Sequence, residues 1–177
     1  MIRKIAVIEG LGFKWLDSSS GQVYLIERLK AIGIDCGPSP FHYDDSQGVY
    51  SFLKDADWRG IVGDSFGACF GPQYAGDLKP AKVDYVAGFQ PSIYSTNIQT
   101  APDGTKFIPV PANVVTAHCI RDPDWIDTGG LGYATWIADD PKATRLLITE
   151  HRGAHPDDTG YTQDLVFAEI KQLIGAK

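Results

Sequence analysis

The chain has 177 residues, 44% of them hydrophobic and 21% charged, with a formal net charge of −6 at pH 7. Those values fit one globular domain spanning residues 1–177 with a sizeable core. The acidic balance and the absence of any Lys or Arg run argue against a nucleic-acid-binding surface, and no apolar run approaches membrane-spanning length.

Met1-Ile2-Arg3-Lys4 leads directly into Lys4 to Ile8, a short apolar run of the kind expected for a strand buried on both faces. No signal-peptide core precedes it, and the three cysteines, Cys36, Cys69 and Cys119, form no CxxC pair. They read as reduced, buried thiols, and the expected location is cytoplasmic. Glu9-Gly10-Leu11-Gly12-Phe13 follows the strand. Ser18 to Ser20 offer N-caps for a helix with Val23, Leu25, Ile26, Leu29 and Ile32 at helical spacing, and Gly33 stops it. A short strand is expected at about Ile34 to Cys36. Asp44 or Asp45 then caps a second helix whose apolar face is Val49, Phe52, Leu53 and Ala56.

Arg59 to Asp64 is the next strand, and it runs into Gly63-Asp64-Ser65-Phe66-Gly67. Apolar β-formers before Gly-x-Ser-x-Gly, with small residues after it, describe a strand turning sharply into a helix with a serine at the apex. Such a turn strains the serine backbone and needs almost no side chain two positions either side, as Gly63 and Gly67 provide. The alternative is a serine that merely caps the next helix. The helix from Phe66 to about Asp77 carries Gly67, Gly71, Pro72 and Gly76, all costly inside a helix. Either it packs closely on the sheet, or a short first turn gives way to irregular chain.

Val83 to Phe89 reads as a strand, and Gln90 to Pro111 as a connection with a turn at Pro102-Asp103-Gly104. Val114 to Ile120 is a strand, Arg121 to Trp136 a long loop, and Arg145 to Thr149 the last strand. A terminal helix from about Thr162 buries Leu165, Val166, Ile170, Leu173 and Ile174. This alternation implies a three-layer α/β/α, doubly wound, mainly parallel sheet of about six strands. Ligands of such sheets gather at the carboxyl ends of the strands. Ser65, then Asp122 and Asp124, then His151 and His155 fall there, in the order Ser, Asp, His. His118, within a strand, and His42, in an early loop, are expected to be structural.

These motifs resemble those of the α/β-hydrolases. Gly63 to Gly67 is similar to the family's nucleophile elbow, Cys119-Ile120-Arg121-Asp122-Pro123 to its acid-bearing strand end, and Gly153-Ala154-His155 to its Gly-x-His loop. Glu9-Gly10-Leu11-Gly12 resembles the loop donating an oxyanion amide, with Glu9 where histidine is usual. The resemblance spans nearly the whole chain, without the family's first two antiparallel strands, as in its smaller cutinase-like members. It implies a minimal α/β-hydrolase fold and a serine esterase acting through an acyl-enzyme. His155 would take the proton from Ser65, and Asp122, or alternatively Asp124, would orient the histidine, with His151 as the alternative base. The amides of Phe66 and of Leu11 or Gly12 would bind the oxyanion. The substrate would be a small or accessible acyl ester or thioester, and no metal or organic cofactor is implied. Phe13, Trp15, Tyr94, Trp125, Tyr133 and Trp136 are candidates to rim the site.

Rival readings rest on other residues. Ala154-His155-Pro156-Asp157-Asp158 resembles the zinc motif of LmbE-like de-N-acetylases, although there the motif follows the first strand and a later histidine completes the site. Gly63-Asp64-Ser65 also resembles the serine block of GDSL esterases, but Arg152 stands where their aspartate precedes the histidine. Gly10-x-Gly12 lacks the third glycine of a dinucleotide fingerprint, since Trp15 occupies that place. A catalytically inactive hydrolase-fold binding protein is the non-enzymatic alternative, and Glu9 and the glycine-broken helix after Ser65 favour it.

Overall fold

Short apolar runs alternating with amphipathic segments fold here as strands crossed over by helices. The computed structural model describes residues 1–10, 19–37, 40–92, 95–121, 134–151 and 161–175. In chain order its elements are β1 (Arg3–Ile8), α1 (Ser19–Ala31), α2 (Ser46–Leu53), β2 (Trp58–Asp64), α3 (Phe66–Asp77), β3 (Val83–Phe89), β4 (Gln99–Thr100), β5 (Lys106–Val110), β6 (Val114–Arg121), β7 (Thr135–Ala138), β8 (Arg145–Glu150) and α4 (Tyr161–Gly175).

The main sheet is five-stranded, in the order β1-β2-β3-β6-β8, and every pairing in it is parallel. Alternate residues divide the core into two layers. Ile5 and Val7 of β1 face α1 and α4, where Leu25, Leu29, Val166 and Ile170 are buried. Ala6 and Ile8 face α2 and α3, where Val49, Leu53, Cys69 and Tyr74 are buried. The α1 stripe is narrower than its spacing suggests, because Val23 is exposed. Of the two candidate caps for α2, Asp45 serves, its Oδ1 accepting from Gly48 N at 2.9 Å.

The strand expected at Ile34 to Cys36 is reduced to two isolated parallel bridges on the outer edge of β1, Lys4 with Asp35 and Ile8 with Phe41. The run Gly37-Pro38-Ser39-Pro40 separates them, and two prolines cannot donate ladder hydrogen bonds. The main sheet therefore has five strands rather than about six. The expected connection from Gln90 to Pro111 and the expected loop from Arg121 to Trp136 contain more order than their composition implied. β4 and β5 form a hairpin around the Pro102-Asp103-Gly104 turn, and β7 pairs with β5 to complete a three-stranded second sheet. β7 carries Trp136 into the α3-side core, where it is 2% exposed, so Trp136 is a core residue and not part of a rim. Space for its indole comes from Gly88, since a Cβ there would lie 2.3 Å from Trp136 Cζ2.

This topology fixes where a site can form. From β1 the chain passes through α1 to the outer edge of β1, then through α2 back to β2 on the inner side. The connections diverge between β1 and β2, and a crevice opens at the carboxyl ends of strands that part in this way. Ser65 follows β2 directly.

Candidate active site

Ser65 lies between the last residue of β2 and the first of α3, with φ 51° and ψ −111°, a region that non-glycine residues rarely adopt. Three features hold it there. Its amide donates to Phe89 O on β3 at 2.8 Å, and its carbonyl accepts from Cys69 N at 3.3 Å. A Cβ on Gly63 would lie 2.2 Å from Gly67 O, and one on Gly67 would lie 2.5 Å from Ile8 O. The first turn of α3 is thus seated against backbone, which accounts for the glycines in a continuous helix. Of the two readings of that segment, close packing holds. Ser65 makes no side-chain cap hydrogen bond to the helix it precedes, so the helix-capping alternative has no support. Phe66, as the first residue of α3, has an amide with no intrahelical acceptor, and the positive end of the helix dipole lies at Ser65.

The other strand ends are laced to this turn. Gln90 N donates to Ile120 O and His151 N to Arg121 O, both at 2.8 Å. Arg121 and Glu150 are paired in the β6–β8 register, and their side chains form an ion pair at 2.6 Å. Asp122, Asp124 and His155, together with Leu11 and Gly12, lie outside the described residues, as do Phe13, Trp15, Tyr94, Trp125, Tyr133 and the stretch 155–158. The chain enters residues 122–133 from β6, two strands from β2, or about 10 Å at ordinary strand spacing. His151 is described. Its ring stacks on Tyr161 at the start of α4, centroids 4.3 Å apart at 26°.

The sequence reading passed over several groups at this edge. Tyr43 follows the second bridge on β1 and packs beside Phe66, ring centroids 5.5 Å apart, and beside Phe70 at 5.9 Å. Its carbonyl accepts from the Tyr74 hydroxyl. These rings form an aromatic wall next to the serine turn. His42, expected to be structural, bonds through Nδ1 to Asp44, and its Nε2 lies 4.0 Å from Glu9 Oε1. Gln90 is buried directly after β3. Its sequence signal is only a polar residue directly after an apolar strand, without the glycine spacing that marks Ser65.

His118 is structural, as expected. It is 2% exposed on β6, with Nδ1 2.9 Å from Glu169 Oε2 and Nε2 2.8 Å from Thr149 Oγ1. The Tyr85 hydroxyl donates to the same Glu169 oxygen at 2.5 Å, tying α4 to the sheet. Burial alone would raise the Glu169 pKa, but the bonds from His118 and Tyr85 and the charges of His118 and Arg145 outweigh it and hold the carboxyl below its ordinary value. All three cysteines are buried thiols, and none is in a disulfide. Burial pushes each thiol up to about 12. Among the described residues no group of three or more His, Cys, Asp and Glu could hold a metal ion, and no helix is long and apolar enough to cross a membrane.

Five parallel strands between helices, with a strained serine between strand and helix, define an α/β fold of the hydrolase type. The chain is similar in structure to alpha/beta hydrolase domain-containing protein 10 from mouse, with a TM-score of 0.56 and 15% identity over 98% of this chain and 90% of that one. It is also similar to a protein of the alpha/beta superfamily from Xanthomonas campestris pv. campestris, with a TM-score of 0.52 and 13% identity over 96% of this chain and 98% of that one. At these identities the likeness concerns the fold. No protein-family model and no curated protein matches the sequence.

Proposed function

We propose that the protein is a serine hydrolase that cleaves an acyl ester or thioester through an acyl-enzyme on Ser65. The observation that carries this reading is the Ser65 backbone at φ 51° and ψ −111°, wedged by Gly63 and Gly67, with no hydrogen bond from its side chain to the helix. A serine that only capped α3 would need neither the strain nor the glycines. In this mechanism His155 removes the Ser65 proton as Oγ attacks the acyl carbon. Asp122, the first residue beyond β6, holds the imidazole in the required tautomer. The Phe66 amide, at the positive end of α3, and an amide of Leu11 or Gly12 bind the oxyanion, each donor supplying about 3 kcal/mol. The imidazolium then protonates the leaving group, and water repeats the sequence in reverse. Stacking of His151 on Tyr161 favours His155 over His151 as base. The wall of Tyr43, Phe66 and Phe70 favours a substrate with an apolar or aromatic portion.

Hydrolysis of p-nitrophenyl butyrate tests this reading. Wild type should turn it over with burst kinetics, and Ser65→Ala should abolish turnover. Equal rates for the two proteins would contradict it.

A further inference from the structure

Gln90 is the first residue past β3 and is 4% exposed, yet neither Nε2 nor Oε1 has a hydrogen-bond partner among the described residues. A buried carboxamide with both ends idle is uncommon, because burial removes its water without replacement. The backbone is unusual as well. Ser65 and Gln90 are the non-glycine residues with positive φ among the described residues, each at 51°. They stand at the ends of adjacent strands: Phe89 accepts from Ser65 N, and Gln90 N donates to Ile120 O. Strain of this kind gathers at functional sites. Glycine or asparagine would relieve it at Gln90, and an apolar residue would avoid the idle amide, so neither backbone strain nor packing accounts for a glutamine here.

We infer that Gln90 reads the substrate of the Ser65 site, and that this substrate is an acyl group carrying its own amide close to the scissile carbonyl. The inference rests on the serine hydrolase reading and adds to it the class of acyl group. A carboxamide presents a donor and an acceptor side by side. A trans secondary amide points its N–H and C=O to opposite sides, so one such amide pairs with one end of the carboxamide, its N–H donating to Oε1. A plain alkyl chain answers neither, a carboxylate only accepts, and an ammonium group only donates. A site built around such a pair discriminates strongly against analogues lacking it.

The test compares p-nitrophenyl N-acetylglycinate with p-nitrophenyl 4-oxopentanoate, in which a CH2 replaces the N–H. Each kcat/KM is divided by the ester's hydroxide rate to remove intrinsic reactivity. Wild type should prefer the amide-bearing ester by about ten- to hundredfold, the range for one buried pairing lost. Gln90→Met, similar in length without the polar pair, should bring the ratio to within about twofold of unity. A wild-type ratio near unity, or one that Gln90→Met leaves intact, overturns the inference. An independent arm needs neither turnover nor a variant: N-acetylglycinamide is titrated into 15N-labelled wild-type protein while the Gln90 side-chain NH2 resonances are followed. A saturable shift supports the amide site, and no shift overturns it. If wild type hydrolyses neither ester, the hydrolase reading fails, and the titration alone decides on Gln90.

Discussion

Gly63→Ala isolates the geometric basis of the site. The added Cβ would meet Gly67 O at 2.2 Å, Gly67 C at 2.3 Å and Ala68 N at 2.6 Å, all backbone atoms that no rotamer change can move aside. Restoring ordinary contact near 3.4 Å requires the first turn of α3 to retreat by about 1.2 Å. The opposite side is closed, because Gly67 is packed against Ile8 O and Glu9 O. Overpacking of this kind costs about 1–3 kcal/mol, or roughly 2–12 °C in Tm for a chain of this size. Ser65 lies between the two contacts and must move with them, and a displacement near 1 Å costs about a hundredfold in reactivity. The assay pairs thermal melting with the rate of fluorophosphonate labelling. Gly76→Ala is the control, since its Cβ would meet nothing closer than Pro111 Cγ at 3.7 Å and alanine is the better helix former by about 1 kcal/mol. Gly76→Ala should keep the wild-type labelling rate and should not lower Tm. Wild-type melting and labelling in Gly63→Ala would refute the reasoning.

Other predictions concern the rest of the fold. Glu169→Ala strands the buried His118 and the Tyr85 hydroxyl and should destabilise the protein by about 1–3 kcal/mol in denaturant melts, whereas no change would show the network to be idle. Because the folded-state pKa of Glu169 is lowered, its contribution is complete above the ordinary value of 4.5 and is lost as pH falls through the lower folded value. The stability gap between wild type and Glu169→Gln should therefore be flat near neutrality and shrink below pH 4.5, and a gap that widens on acidification would contradict this. With each thiol raised to about 12, iodoacetamide at neutral pH should leave the native protein unmodified and label all three cysteines after denaturation. Rapid labelling of native protein would overturn their placement.

Much of this was legible in the sequence because it depends on local rules. Five apolar runs gave the main strands, nearly to the residue at Val83–Phe89. The spacing of Gly63, Ser65 and Gly67 gave the turn, since one strained residue between two close backbone contacts admits few sequences. What the sequence withheld depended on non-local contacts. β4, β5 and β7 are short strands stabilised by packing Ile108, Val110 and Trp136 on α3, and a connection rich in Pro and Thr gives no sign of that. Trp136 seemed a rim residue because nothing in its neighbours announces that Gly88 leaves room for it. The Pro-containing run after Cys36 broke an expected strand into two bridges. Gln90 was overlooked because its defining properties, burial without partners and positive φ, exist only in the folded chain.

The most direct measurement is fluorophosphonate labelling of wild type, Ser65→Ala and His155→Ala, with the modified residue located by mass spectrometry. A single adduct on Ser65 is expected, absent from Ser65→Ala and lost in His155→Ala. An unlabelled but folded wild type, or an adduct elsewhere that persists in Ser65→Ala, would contradict it.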